Sequence, residues 1–274
     1  MAGEPAGRKY MRILLALLCL SAAAPVLAEP QPEAGRRADW KFSSSVNYDA
    51  GKYGTSERIR SVYIPFTLKR YFPGADVSVT VPYLRQSSSG QVTWVGGKPV
   101  RVGRGGGAAA SSAESGLGDI ILRGTFTLKR DGPKSFGLGL AGRLKLPTAD
   151  EDKGLGTGET DEGVGLEFAK EINPDWTLLA DGYFTIIGDP EGMDFYNQLS
   201  LDIGFYKTLG ENLGLTVLYE AQSAMVQGNA APSSVSGSLS YGTPGGVRFS
   251  GGLNLGLSEG SPAIGLSAGF SRKF

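Results

Sequence analysis

Residues 136–150 read FGLGLAGRLKLPTAD, and within them Gly137, Gly139 and Gly142 match the spacing GxGxxG. In a dinucleotide-binding unit such glycines follow a strand and open a helix whose amino terminus holds a pyrophosphate. Here Arg143, Leu144, Lys145 and Leu146 continue an alternation begun by Phe136, Leu138 and Leu140, and Pro147 ends it. The stretch therefore predicts a strand, not a phosphate cradle. The chain contains no histidine, which removes imidazole both as a general base and as the commonest catalytic metal ligand. Its single cysteine, Cys19, lies in an amino-terminal apolar run expected to be cleaved off, so thiol chemistry is absent too. Carboxylates are plentiful, but no local spacing singles out an acid–base pair. The acidic segment holding Asp150, Glu151, Asp152, Glu159, Asp161 and Glu162 fails as a calcium loop, because Gly154 stands where Asp or Asn is needed. It is expected to be a solvated outer loop near lipopolysaccharide and its bridging cations. No catalytic residue, cofactor site or metal site is predicted.

The elements that position the remaining polar residues follow from the alternation. Arg8, Lys9 and Arg12, an apolar run from Ile13 to Ala24, and Val26-Leu27-Ala28 read as a cleaved signal peptide over 1–28, with Met1 or Met11 as its start. Residues 29–38 then form a periplasmic lead segment. No later run is long and apolar enough for a membrane-spanning helix, but a closed barrel also satisfies its backbone in lipid. Period-two patterning predicts strands near 39–48, 58–68, 75–84, 117–128, 135–146, 162–170, 176–187, 195–206, 213–221, 233–241, 247–257 and 263–274. The fold class is thus all-β, a twelve-stranded antiparallel transmembrane barrel of outer-membrane type over 39–274, an even strand number as such barrels have.

Loop lengths orient it. KRYFPG, KRDGPK, EINPD, KTLGEN and GTPGG are tight turns, whereas the intervening connections are mostly long. Short turns belong to the periplasmic side and long loops to the outside. Trp40, Phe42, Phe126, Phe136, Phe168, Trp176, Phe205, Tyr241 and Phe270 then form a periplasmic girdle; Tyr48, Tyr83, Phe184, Phe195 and Tyr219 form an outer one. The Gly-rich 85–116 loop is expected to be a mobile surface segment, with Trp94 and Arg101 able to meet a ligand.

A charge on the lipid face costs about 2–4 kcal/mol at mid-membrane. The polar parity therefore points inward and lines the lumen with Arg123, Arg143, Lys145, Glu167, Asp181, Tyr183, Asp202, Tyr206, Glu220, Arg248 and Asn254. These residues either set selectivity or pair across the lumen as salt bridges. Inward glycines such as Gly139, Gly165 and Gly214 leave space. The near-neutral mature chain gives no support for nucleic-acid binding.

The ending GLSAGFSRKF, with Phe270 and Phe274 on one parity, resembles the carboxy-terminal insertion signal of outer-membrane proteins, although Arg272 departs from it. GLGDI at 116–120 and KLPTADEDKGLGTGETDEGVGLEFAKEI at 145–172 resemble the outer-membrane transporter family named after the meta-pathway of phenol degradation (MetA type). Ala149 stands where that family's corner carries glycine. The resemblance covers 60–274. It implies a channel or transporter passing small organic solutes, aromatic or hydrophobic among them, by passive diffusion through a polar lumen. The alternative is a closed structural or adhesive barrel acting through its outer loops. Expected partners are outer-membrane lipid and lipopolysaccharide, the barrel-assembly machinery during insertion, and small solutes; the sequence leaves the oligomeric state open.

Overall fold

The computed structural model describes residues 39–88, 92–95, 98–101, 112–132 and 134–274. The expected signal peptide and lead segment lie outside these residues. Among the described residues there are fifteen strands: β1 (Trp40–Gly51), β2 (Ile59–Phe72), β3 (Ala75–Ser88), β4 (Val92–Val95), β5 (Lys98–Arg101), β6 (Ser112–Leu117), β7 (Ile120–Lys129), β8 (Gly137–Leu146), β9 (Asp161–Asn173), β10 (Trp176–Ile186), β11 (Gln198–Thr208), β12 (Leu213–Gln222), β13 (Ser233–Gly242), β14 (Val247–Gly256) and β15 (Ile264–Lys273). All but β4 and β5 join one antiparallel sheet. It closes where β1 pairs with β15, from Lys41↔Lys273 to Ala50↔Ile264. Reciprocal backbone bonds between Trp40 and Phe274 seal the seam at the last residue.

The barrel has twelve staves, because β6 and β7 both pair with β3 and make one stave broken at Gly118-Asp119. The break has a steric cause. A Cβ at Gly118 would press on Leu84 and Pro82, so the chain crosses a neighbour's side chains there. The expected strand over 195–206 begins only at Gln198. Phe195 is therefore not in the outer girdle: it is buried against Ile187 and Met225, and its N–H donates to Asp189. Alternation over three residues was a poor guide where an Asp could cap a turn.

Side-chain partition matches the parity reading. Phe66, Leu68, Val79, Phe126, Leu166, Leu178, Leu199, Leu201, Ile203, Leu239, Leu253 and Leu266 are exposed on the outside. An apolar surface of that extent on a soluble monomer would drive aggregation, whereas lipid solvates it. The barrel is of the kind that spans the bacterial outer membrane. At its periplasmic rim, Phe42 meets Phe270, Phe136 meets Phe168, and Trp176 meets Phe205, with ring centroids 6.0, 5.3 and 4.9 Å apart. Cations sit on this girdle: Lys129 over Phe136, Lys207 over Trp176 and Arg70 over Trp40. The periplasmic turns are tight because Gly74 and Gly246 take the left-handed backbone, at φ 86° and 78°.

Candidate functional site in the barrel lumen

GLAGR in the opening motif lies in β8, whose inward residues are Gly137, Gly139, Ala141, Arg143 and Lys145. Arg143 lies directly across from Arg123 on β7. Arg123 forms an ion pair with Glu167 and donates to the Tyr183 hydroxyl at 3.1 Å. Tyr183 in turn donates to Glu167, closing a three-residue cluster across β7, β9 and β10. The inward glycines explain how it packs. A Cβ at Gly165 would collide with the Tyr183 ring, and one at Gly214 with the Tyr206 ring. Glycine space is thus filled by tyrosines lying flat on neighbouring strands, an arrangement that covers bare backbone. The expectation that these glycines simply leave the lumen open is corrected at both positions.

Register places the carboxylates in a row. Glu167 lies across from Asp181, Asp181 from Asp202, and Asp202 from Glu220. Neighbouring Cβ atoms in such a row are about 5 Å apart, so four adjacent staves present one acidic wall. Glu220 also accepts from the Ser236 hydroxyl at 2.8 Å. The opposite sign collects elsewhere: Arg123 and Arg143 on β7 and β8, and Lys41, Lys69 and Lys273 side by side at the periplasmic end. Lys69 pairs with Asp76 at 2.9 Å, and both Lys69 and Lys273 lie over the Tyr71 ring. Arg248 donates to Ser240 at 3.3 Å.

Lys145 takes a different role. Its Nζ lies 2.8 Å from Asp161 and 3.4 Å from Asp119, and it donates to Thr157 at 2.9 Å. Lys145 and Asp161 are 1% and 0% exposed, so this is a buried ionic latch, not the lining of an open path. Asp119 adds to it by accepting the backbone N–H of Thr148 and Ala149, each at 3.0 Å. The GLGD, KLPT and GLGTG stretches thus meet at one point and fold the 147–160 loop back over the strand ends. The expectation of a solvated acidic loop holds for Asp150, whose carboxyl is drawn below its usual range by its hydrogen bond from Lys153. It fails for Asp161.

The outer half of the lumen is occupied. Strands β4 and β5 form a hairpin, Val92↔Arg101 to Val95↔Lys98, that folds inward from β3. Trp94 is 3% exposed; it stacks on the inward Tyr63 at 5.4 Å and packs with Leu84 and Leu155. Val92 joins Tyr53 and Ile59, and burial raises the Tyr53 phenol far above its ordinary range. The Thr93 hydroxyl donates to the carbonyls of Gly154 and Gly156. Across the mouth, Val100 packs against the Ile187, Phe195 and Met225 cluster, Arg101 donates to Gly54, and Asn229 donates to Arg101. For residues 92–95 and 98–101 the reading of a mobile surface loop is corrected: Trp94 and Arg101 are anchors. Residues 89–91, 96–97 and 102–111 lie outside the described residues. Beside the hairpin lie two cavities. One of about 90 Å³ is lined by Asp49, Glu220, Asn254, Pro99 and Val100 among others. The other, about 80 Å³, lies by Arg101, Met225 and Asn229. Each has room for several waters.

The family model described as "Putative MetA-pathway of phenol degradation" matches residues 38–274. The chain belongs to this family. No curated protein matches it. Among solved structures, an outer membrane channel from Pseudomonas putida F1 is similar at 14% identity and TM-score 0.71, over 92% of this chain and all of that one. The NanC porin is similar at 7% identity and TM-score 0.52, over 85% of this chain and 100% of that one. The β domain of the Bordetella autotransporter Brka gives 11% and 0.51, over 86% and 100%. At these identities the likeness is one of fold, and a porin and an autotransporter share that fold.

In this family member most of the residues that parity placed inward are brought into three groups: the Arg123–Glu167–Tyr183 cluster, the acidic wall that runs from that Glu167 through Asp181, Asp202 and Glu220, and the Lys145 latch. Asn254 joins the cavity at the mouth, and Phe270 and Phe274 sit at the seam. Sequence reading did not place Lys41, Lys69, Lys273 or Asp119 among the lumen residues. Extending the same parity to the strand ends identifies the three lysines.

Proposed function

We propose that this family member is a passive channel for small organic solutes that carry a polar or ionised group. The observation that supports it is the lumen's charge pattern. An acidic wall on β9–β12 faces a lumen whose cations sit on β7, β8 and the periplasmic end. Groups fixed this way act on solutes passing between them and set preference by charge. A plain hydrocarbon gains little from such a surface. A phenol or an aromatic acid gains hydrogen bonds and electrostatic contacts while its ring crosses beside the Pro99 and Val100 edge of the hairpin. A channel is favoured over an enzyme because a chain without histidine offers no imidazole to activate water or serine.

The inward hairpin favours a second reading, a barrel held closed. Swelling of proteoliposomes separates the two. In isosmotic arabinose or sodium benzoate, liposomes containing the protein are expected to swell faster than empty ones. Swelling no faster than in empty liposomes for every solute up to this size overturns the channel reading and leaves the closed barrel.

A further inference from the structure

On the outer surface, charge is distributed unevenly. At the extracellular end of the lipid-facing parity, β1 presents Tyr48, β8 Leu144, β10 Phe184, β11 Leu199, β12 Tyr219, β13 Val235 and β14 Leu255. Strand β9 presents Glu162 there. Among the described residues of these strand ends, only β2 and β3 present cations: Arg60 and Arg85, both exposed, lie between neighbours that are buried. Ile59, Ser61, Leu84 and Gln86 flank them at 1, 2, 2 and 3% exposure, which fixes both arginines to the outer side of the wall.

Their mutual position is that of a clamp. Arg60 pairs with Ser87 and Val62 with Arg85, so the two arginines are diagonal neighbours, about 7–8 Å apart at the backbone. The Ser87 hydroxyl donates to the Arg60 carbonyl and accepts its N–H, at 3.2 and 3.1 Å, which holds this edge of the pair. Among the described residues no carboxylate forms an ion pair with Arg60 or Arg85. Glu57 and Arg58 in the loop above carry opposite charges and offset each other.

Below the clamp the same face is continuously apolar. Tyr83, Val79 and Val77 on β3 and Phe66 and Leu68 on β2 are all exposed. From Arg85 to Val77 the strand rises about 26 Å along its own axis at ~3.3 Å per residue, on the scale of the apolar band of such barrels, ~25 Å tall. The arginines consequently sit at headgroup level with an acyl-chain surface beneath them. Guanidinium groups match phosphate oxygens bidentately. We infer that Arg60 and Arg85 form a binding site for a phosphate of lipid A, the phosphorylated glycolipid of the outer leaflet, whose acyl chains lie along the upper part of this face, from Tyr83 to Phe66.

Native mass spectrometry of the detergent-solubilised full chain tests this with three probes: bis-phosphorylated lipid A, its dephosphorylated analogue, and phosphatidylglycerol. The parent is expected to retain phosphorylated lipid A at least about tenfold better than the dephosphorylated form, and R60Q/R85Q to lose that preference, a change of about 1.4 kcal/mol per tenfold. R272Q, which removes an exposed cation at the other end of the barrel, keeps it. Heat-modifiable gel migration reports that each variant is folded. Equal retention of both lipid A forms by the parent, or an unchanged preference in R60Q/R85Q, overturns the site. Equal retention of phosphatidylglycerol and lipid A overturns the assignment to lipid A. None of these outcomes depends on whether the barrel conducts.

Discussion

Replacing residues 89–111 by a short Gly-Ser turn is expected to raise single-channel conductance several-fold over the parent. The hairpin carries Trp94 onto Tyr63, Leu84 and Leu155 on one side and Val100 onto Ile187, Phe195 and Met225 on the other. It therefore bridges the mouth from β2 and β3 to the loops above β10 and β12, with small cavities beside it. Conductance of a pore is limited by its narrowest section, and a twelve-stranded lumen is wider than side chains alone fill. W94A is the milder variant. It removes one stacking contact while Thr93 and Arg101 still donate to Gly154 and Gly54 and the Arg101 carbonyl still accepts from Asn229 of the loop after β12, so it is expected to give a channel that fluctuates between parent and enlarged levels. Recording both variants in planar bilayers checks the point. Parent-like conductance in the deletion would mean that the hairpin does not set the constriction.

Lys145→Met is expected to lower barrel stability by roughly 3–5 kcal/mol, the range for removing one partner of a buried ion pair. The reason is what stays behind. Asp161 is 0% exposed, so once Nζ is gone its buried charge loses its direct ion-pair partner and keeps only the Gly188 N–H and the more distant Arg143 guanidinium, and Thr157 loses its donor. Asp119 retains the backbone N–H of Thr148 and Ala149 and is penalised less. The double variant K145M/D161N removes both charges and is expected to be more stable than K145M alone, the coupling a double-mutant cycle measures. Urea titration followed by the gel-mobility difference between folded and unfolded barrel provides the readout. A loss in K145M below ~1 kcal/mol would show that water reaches the latch.

The twelve staves and their inside-out polarity were legible because period two is a local property: Leu199, Leu201 and Ile203 against Ser200, Asp202 and Gly204 declare two environments without knowledge of any partner strand. The lumen residues were legible as a set for the same reason. Their grouping was not. That Asp181 stands between Glu167 and Asp202, or that Lys145 faces Asp161, depends on inter-strand register, which alternation within one strand does not fix. The hairpin was missed for a different reason. Four-residue strands such as VTWV and KPVR carry too few alternations to stand out from a Gly-rich segment, and the burial of Trp94 depends on Tyr63 and Leu155, residues far away in sequence. Phe195 shows the converse error, where alternation continued past the true strand start into a loop capped by Asp189.

The three motifs within the stretches that carried the family resemblance converge in space. GLGD supplies Asp119, KLPT supplies Lys145 and Thr148, and GLGTG supplies Thr157, all within one hydrogen-bonded latch. Ala149 occupies the corner without strain of its own to report, donating its N–H to Asp119; its Cβ lies where a Cβ added at Gly156 would meet it, so the glycine of the next motif is what makes room.

The reversal potential of the parent channel under a salt gradient, compared with that of D181N/D202N, tests the central claim most directly. If solutes pass along the acidic wall and the lumen cations, neutralising two of the wall's four carboxylates shifts the reversal potential toward anion preference while the barrel stays folded. An identical reversal potential in a conducting, folded variant, or no conductance from the parent at any voltage, contradicts it.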